Sequence, residues 1–207
     1  MESTINPVVK PMLWLLRRRS KKIVDIVQDA PETAILAEDE CWMYLQATTM
    51  HAWSGCGQTP LVRVDPGRTK MGFYGTLDLR TGREIVTHSP IFNSDVSAQH
   101  LQTILETFPD QPIFLLWDRA PWHRGAAIRQ LCEANPRLEI MFFPVGSPDL
   151  NPQEHVWKQT RRAVSHNHLV PKLPTLVDQF ATYLHTHIFR TSFLDRYAFH
   201  DLYPMFI

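Results

Sequence analysis

The sequence predicts an α/β domain built on a mixed five-stranded sheet with helices on both faces. Three observations carry that expectation. Residues 70–79 and 83–88 are strand-like and flank Arg80-Thr81-Gly82, where Gly82 can supply the positive φ of a bulged hairpin turn. Residues 112–117, Pro-Ile-Phe-Leu-Leu-Trp, are an unbroken apolar run of strand length, as expected for a central strand covered on both faces. From 112 to 166 the pattern reads strand, helix, strand, helix, which implies parallel neighbours joined by right-handed crossovers.

The chain of 207 residues, 44% of them hydrophobic, is long enough for one domain with an appended arm and apolar enough for a core. Its 21 Lys and Arg balance 21 Asp and Glu, which excludes a uniformly basic, DNA-coating protein and leaves room for local basic patches. Cys41, Cys56 and Cys132 are odd in number and widely spaced, so they suggest neither a disulfide framework nor a cysteine zinc site. A reducing cytoplasm fits them best. The apolar run 11–16 precedes its positive charges, the wrong order for a signal peptide, and no segment approaches the roughly 18 apolar residues of a membrane span. A soluble protein with no membrane partner is expected.

Taken in order, residues 12–27 predict a helix ended by Pro31. Its basic stretch includes Arg17, Arg18 and Arg19 and reads either as a solvated face or as a phosphate-contacting arm. Thr33–Ala37 and Cys41–Leu45 read as two strands with Glu38, Asp39 and Glu40 between them. A period of two puts Asp39 on the face of Ile35 and Ala37, with Glu38 and Glu40 on the other. Alternation alone does not choose between these faces.

Residues 47–69 carry Gly55, Gly57, Pro60, Pro66 and Gly67 and read as a loop in which His51 and Trp53 pack or touch substrate. After the hairpin, a helix is predicted over 95–107 with Ser94 as N-cap and Val96, Leu101, Ile104 and Leu105 on its buried face. The 112–117 strand then ends abruptly in Asp118, an acid that either points into a site or starts the next turn. A helix over 122–134, a strand over 138–143 and helices over 153–165 and 173–189 follow.

In Phe143-Pro144-Val145-Gly146-Ser147-Pro148-Asp149-Leu150-Asn151-Pro152-Gln153-Glu154, Pro148 and Pro152 restrict the backbone. Asn151 suits an N-cap, Pro152 suits the first helical position, and Glu154 falls in the first turn. Asn151-x-x-Glu154 also has capping-box spacing, so Glu154 either reaches back to its own helix start or faces a cluster on neighbouring strands. Asp118 and Glu154 are separated by 35 residues, room for one helix, one strand and a loop.

Asp39-Glu40, Trp117-Asp118 with Pro121 and His123, and Ser147-Pro148-Asp149-Leu150-Asn151-Pro152 with Glu154 and Trp157 together resemble the catalytic half of the DDE transposases of bacterial insertion sequences in the mariner superfamily. The resemblance covers roughly residues 30 to 170, and the Ser-Pro-Asp-Leu-Asn-Pro run is its specific part. It implies a ribonuclease-H-like fold and selects Asp39, Asp118 and Glu154 as a catalytic triad binding divalent metal. Oxygen-only ligands suit Mg²⁺ or Mn²⁺, two ions being expected with substrate. The implied activity is cleavage of double-stranded DNA by water, then strand transfer by a 3′-hydroxyl.

Lys158, Arg161 and Arg162 are candidate phosphate contacts beside that site, with Asn151 and His123 in supporting roles. His123 orients a phosphate or an Asp118 oxygen, or makes a structural hydrogen bond. The pairs His166/His168 and His185/His187 are read as non-ligands. Arg119 stands where the family usually has Asn. Relatives carry helix-turn-helix domains ahead of the catalytic half, so a separate N-terminal DNA-binding chain or domain is an expected partner, and a homodimer is compatible.

The expected organisation is an arm or linker over 1–32, the catalytic domain over 33–170, and a C-terminal helix with an aromatic tail packed on it over 171–207. Two other functions fit the same fold: a catalytically silent transposase-derived DNA-binding or protein-interaction module, and a general ribonuclease-H-like nuclease.

Overall fold

The computed structural model describes residues 21–51, 53–59, 68–144, 150–191 and 193–194. Contacts divide the chain into two units, one spanning residues 34–190 and one made of the flanking residues. In the flanking unit, helix α1 covers 21–29. The remainder of the predicted 12–27 helix, Arg17, Arg18 and Arg19 with it, lies outside the described residues.

The larger unit holds a five-stranded sheet of order β3-β2-β1-β4-β5. Its strands are β1 (Ala34–Tyr44), β2 (Lys70–Asp78), β3 (Glu84–Ser89), β4 (Ile113–Trp117) and β5 (Leu138–Phe142). β1 to β3 form an antiparallel meander, and β4 joins β1 in parallel, with β5 parallel to β4. The mixed sheet expected from the sequence is therefore present.

One strand departs from expectation in a way that matters. The three acids do not lie between two strands but in the middle of a single 11-residue strand, β1, paired continuously with β2 from Leu36 to Tyr44. Acids are poor strand formers, yet here the ladder and the flanking apolar residues carry them.

The hairpin turn follows its chemistry. Gly82 has φ +72, Asp78 Oδ1 accepts from the Arg80 N–H at 2.9 Å, and Asp78 Oδ2 accepts from the Thr81 hydroxyl at 2.6 Å. A Cβ at Gly82 would also press on the Phe189 carbonyl oxygen at 2.8 Å.

Helices α2 (Ser94–Thr107) and α3 (Ala126–Ala134) cover one face of the sheet. Leu101, Ile104, Leu105 and Ile128 pack there on Ala34, Leu36, Ile113, Leu115 and Trp117. The α2 cap is Asn93, whose side chain accepts from the Val96 N–H at 2.9 Å, one residue before the expected Ser94. Its buried face includes His100 rather than Val96. Burial pushes the His100 imidazole down to about 3, and as a neutral ring it bridges the Thr76 hydroxyl at 2.8 Å and the Thr87 hydroxyl at 2.9 Å.

The predicted 122–134 helix is broken. A 3-10 turn, Pro121–Arg124, precedes α3, and Gly125 between them is extended at φ −68, ψ 164. Any side chain at Gly125 would collide with Ser94 at the start of α2, so the break is where the two helices cross closely.

On the other face lie α4 (Gln153–Thr160) and α5 (Leu173–Thr186). α4 widens into a π-type turn over Arg161–Ser165, and α5 stops three residues short of the expected 189. Phe180 anchors this layer, 4.8 Å from Phe73 and 6.5 Å from Trp157 between ring centroids. Each fully buried aromatic of this kind contributes roughly 2–3 kcal/mol.

The layer closes over Gly75, the β2 partner of Asp39. A Cβ there would collide with Trp157, Gln153 and Glu84 together. Gly75→Ala is therefore expected to lower stability by about 1–3 kcal/mol, read as a fall in Tm. An unchanged Tm would mean that α4 sits further from the sheet.

Candidate active site

β1 outruns β4, and its acids lie where the two strands part. The register pairs Ala34 with Ile113 through Ala37 with Leu116. Beyond the last pair, Asp39 on β1 and Asp118 just after β4 come at the same level of the sheet. Asp39 shares the α4 face with Cys41, and Glu38 and Glu40 share the α2 face, as the period of two predicted.

Asp39 is half-buried, and its Oδ2 accepts from the Trp157 indole N–H at 3.1 Å. Burial first, then the charges of Glu40, Glu154 and Asp118, push its carboxyl up to about 8, against which the Trp157 bond acts weakly. Asp118 and Glu154 thus act on Asp39 through their charge, but among the described residues the three do not bring their oxygens within 4.8 Å of one another, as Glu38, Glu40 and His123 bring theirs. Three carboxylates are a donor set of the oxygen-only kind that suits a hard divalent ion.

Asp118 differs. Burial alone would raise its carboxyl, but hydrogen bonds from His123 and the Ala120 N–H, with the His123 charge, hold it below its usual range. His123 Nδ1 lies 2.9 Å from Asp118 Oδ1, and His123 Nε2 lies 2.8 Å from Glu40 Oε1. Burial opposes the imidazolium, but these two carboxylates outweigh it and lift His123 to about 9. Its ring stacks on Trp117 at 3.9 Å, and Trp122 Nε1 donates to Glu40 Oε1 at 2.6 Å. His123 therefore orients an Asp118 oxygen, one of the roles open from the sequence.

Glu154 lies exposed in the first turn of α4. Regular helix begins at Gln153, as the 153–165 range predicted; Pro152, expected at the first helical position, precedes it with helical angles (φ −64, ψ −20), and Asn151 Oδ1 accepts from the Gln153 N–H at 3.1 Å. The capping-box bond from the Asn151 N–H to Glu154 is not formed among the described residues. Asn151 Nδ2 instead donates to the Glu38 carbonyl at 3.4 Å, tying the start of α4 to β1. Residues 145–149, with Ser147-Pro148-Asp149, lie outside the described residues.

Of the basic candidates, Lys158 and Arg162 are exposed, while Arg161 reaches the Trp42 carbonyl at 3.5 Å and hydrogen-bonds the Cys41 thiol. Arg119 is turned from the acids: its Nε donates to the Phe143 carbonyl at 3.3 Å and its guanidinium lies over Phe142. Trp53 is fully exposed and His51 exposed. His166 and His168 serve a loop: Thr48 Oγ1 bonds His166 Nδ1 at 2.8 Å, and Val170 N–H donates to His168 Nδ1 at 3.1 Å. His187 pairs with Gln159 at 2.8 Å.

Sequence reasoning left three groups beside the site without a role. Glu38 is buried and unpartnered, Glu40 is held by Trp122 and His123, and Glu84 is buried against Gln153. Burial raises the Glu38 carboxyl well above its usual value, and the charges of Glu40, Asp39, Asp118 and Glu84 add to it. Burial also raises Glu84, against a bond from Gln153. The period of two did separate Glu38 and Glu40 from Asp39. What it could not supply was the His123 that meets them.

An antiparallel meander followed by parallel β4 and β5, with acids at the parting of the two central strands, defines a ribonuclease-H-like α/β domain. The sequence profile of the DDE superfamily endonucleases matches residues 34–177, and the chain belongs to that family. No curated protein matches it by sequence.

Among solved structures, the catalytic domain of Mos1 mariner transposase superposes with a TM-score of 0.59 at 14% identity, over 95% of this chain and 94% of that one. The Mos1 transposase paired-end complex with left transposon end gives 0.65 at 16% identity, over 87% of this chain. A Mos1 catalytic domain solved with Raltegravir and Mg gives 0.61 at 14% identity, over 87% and 89%. The fold is thus that of the mariner transposase catalytic domain. The chain spans 59% of the length of the transposase in the paired-end complex.

Proposed function

We propose that this chain is the catalytic subunit or fragment of a transposase, cleaving DNA strands with water and transferring them with a 3′-hydroxyl at Asp39, Asp118 and Glu154. The observation that supports this reading is Asp39 in the middle of β1, one oxygen held by the Trp157 indole and its carboxyl raised by burial and by the nearby charges of Glu40, Glu154 and Asp118. They would hold Mg²⁺ or Mn²⁺. A pair of such ions, when bound with substrate, activates the attacking oxygen and stabilises the departing one in an in-line displacement.

The chain's own groups prepare for that. His123 keeps Asp118 ionised and fixes one of its oxygens. Trp157 fixes one oxygen of Asp39 through a bond that favours the charged form. Glu154, exposed on a helix start anchored by Asn151, would offer its carboxylate to a metal ion arriving with the substrate phosphate. Exposed Lys158 and Arg162, further along from Glu154, are proposed contacts to the phosphates of double-stranded DNA.

A helix-turn-helix chain or domain that finds specific DNA ends is the proposed partner, and self-association into a dimer is compatible. A reducing cytoplasm suits the free thiols of Cys41, Cys56 and Cys132. Among the described residues no helix is long and apolar enough to cross a membrane.

The test is to incubate the purified chain with supercoiled plasmid and Mg²⁺ or Mn²⁺, beside chelator and Glu154→Gln controls. Nicking that needs both metal and Glu154 is expected, while DNA binding by Glu154→Gln stays near that of the parent. Joining of a 3′-hydroxyl oligonucleotide to the plasmid separates a transposase from a general nuclease. Uncut plasmid under every metal condition would favour a catalytically silent module, and nicking that survives Glu154→Gln would refute the site.

A further inference from the structure

We propose that Glu38, Glu40 and His123 form a second divalent-cation site, structural rather than catalytic, on the face of β1 opposite Asp39, taking a borderline ion such as Zn²⁺ or Mn²⁺. One donor atom from each of these residues lies within 4.8 Å of the others. Acid clusters are common without an ion; Glu38 sets this one apart. It is 1% exposed, and neither of its carboxylate oxygens has a hydrogen-bond partner among the described residues.

A buried carboxylate without a partner is costly, and a proton does not resolve it, because the resulting O–H would still lack an acceptor. A cation bound by Glu38 and Glu40 resolves it with both acids ionised. Two carboxylates and a neutral imidazole balance one divalent charge. As it binds, the ion displaces the proton on His123 Nε2 and any on Glu38.

The surroundings are those of a metal-binding histidine. His123 Nδ1 is 2.9 Å from Asp118 Oδ1, so the imidazole keeps its Nδ1–H on a carboxylate and turns Nε2 towards Glu40. That is the carboxylate–histidine–metal pattern that fixes tautomer and ring orientation. The ring is clamped by Trp117 at 3.9 Å, and the Trp122 indole, 2.6 Å from Glu40 Oε1, fixes the second acid. One nitrogen and two oxygens favour Zn²⁺ or Mn²⁺ over Mg²⁺, whose sites are built from oxygen and water. Asp39 and Glu154 take no part, so the inference does not rest on the transposase reading.

The Asp39→Asn/Glu154→Gln double variant, which lacks two of the three acids assigned to catalysis, isolates the new site. After loading with Zn²⁺ and dialysis against metal-free buffer, it is expected to retain one ion per chain. Adding Glu38→Gln should weaken retention by more than about a hundredfold, beyond the usual effect of losing an outer-shell partner. Should that variant fail to fold, anomalous diffraction at the zinc edge on crystals of the unsubstituted chain gives the answer, with a peak expected between Glu38, Glu40 and His123 Nε2. No retained ion in the double variant overturns the proposal. So does a zinc peak confined to Asp39, Asp118 and Glu154. Plasmid nicking is not a readout, so failure here and failure of the transposase reading are separate results.

Discussion

Asp39→Asn is expected to abolish metal-dependent DNA cleavage, by on the order of a thousandfold or more, while making the metal-free protein more stable. The two effects share one cause. Asp39 is half-buried among Glu40, Glu154 and Asp118, and its carboxyl is pushed up to about 8. Asparagine has the same shape and still accepts the Trp157 indole N–H, but carries no charge for its neighbours to repel. At pH 8 without metal, the gain should be about 1–3 kcal/mol after discounting for solvent screening. Thermal melts in chelator and nicking assays in Mn²⁺ measure the two halves. A variant that cuts like its parent would remove Asp39 from the chemistry, and one that melts earlier would show that no repulsion was stored there.

The second large effect is on the pH dependence of stability. An Asp whose folded pKa rises from 3.8 to about 8 keeps a proton that the unfolded chain has released, so stability falls as pH climbs through that window. Glu38 and Glu84 shift in the same direction, chiefly through burial. His123, lifted from 6.5 to about 9, adds stability that is complete below 6.5 and lost as pH passes 9. Asp118 works the other way, its contribution disappearing as pH drops below 3.8.

The metal-free protein should therefore be most stable in mild acid and lose several kcal/mol between about pH 5 and 9. Saturating Mn²⁺ should flatten the decline between about pH 6 and 8, because a ligand that binds only the folded state stabilises it. Melting curves with and without chelator across that range test the sign. A Tm that rises from pH 5 to 8 in chelator would contradict the clustered charges.

Much of this arrangement was legible in the residues, for physical reasons. β4 showed itself because a strand buried on both faces must be apolar throughout, and Asp118 stood out against that run. The hairpin was readable because Gly82 had to take a positive φ. The unity of β1 was hidden, since three adjacent acids argue against a strand unless their partners are known. Those partners are Gly75, Tyr74 and Thr76 on β2, and His123 and Trp157 from far along the chain.

The break at Gly125 was hidden for a similar reason. A glycine within a helical pattern costs only about 1 kcal/mol, and the contact with Ser94 that fixes the break is tertiary. In Asn93-Ser94-Asp95 each residue is a good cap, so only the geometry could choose Asn93. His100, Glu84 and Gln153 are polar residues on buried faces, and periodicity has no means of finding them.

The strand order carries a consequence for the protein during its synthesis. β4 is made after β2, β3 and α2, yet it docks directly on β1, and the helix bearing Glu154 and Trp157 emerges later still. A chain still attached to the ribosome, with α4 inside the exit tunnel, has Asp39 without its indole partner or its third acid. Contacts of such long sequence separation form late in folding. On the proposed reading, nascent chains should therefore be unable to nick DNA, competence arriving only once the far end of the domain has been released.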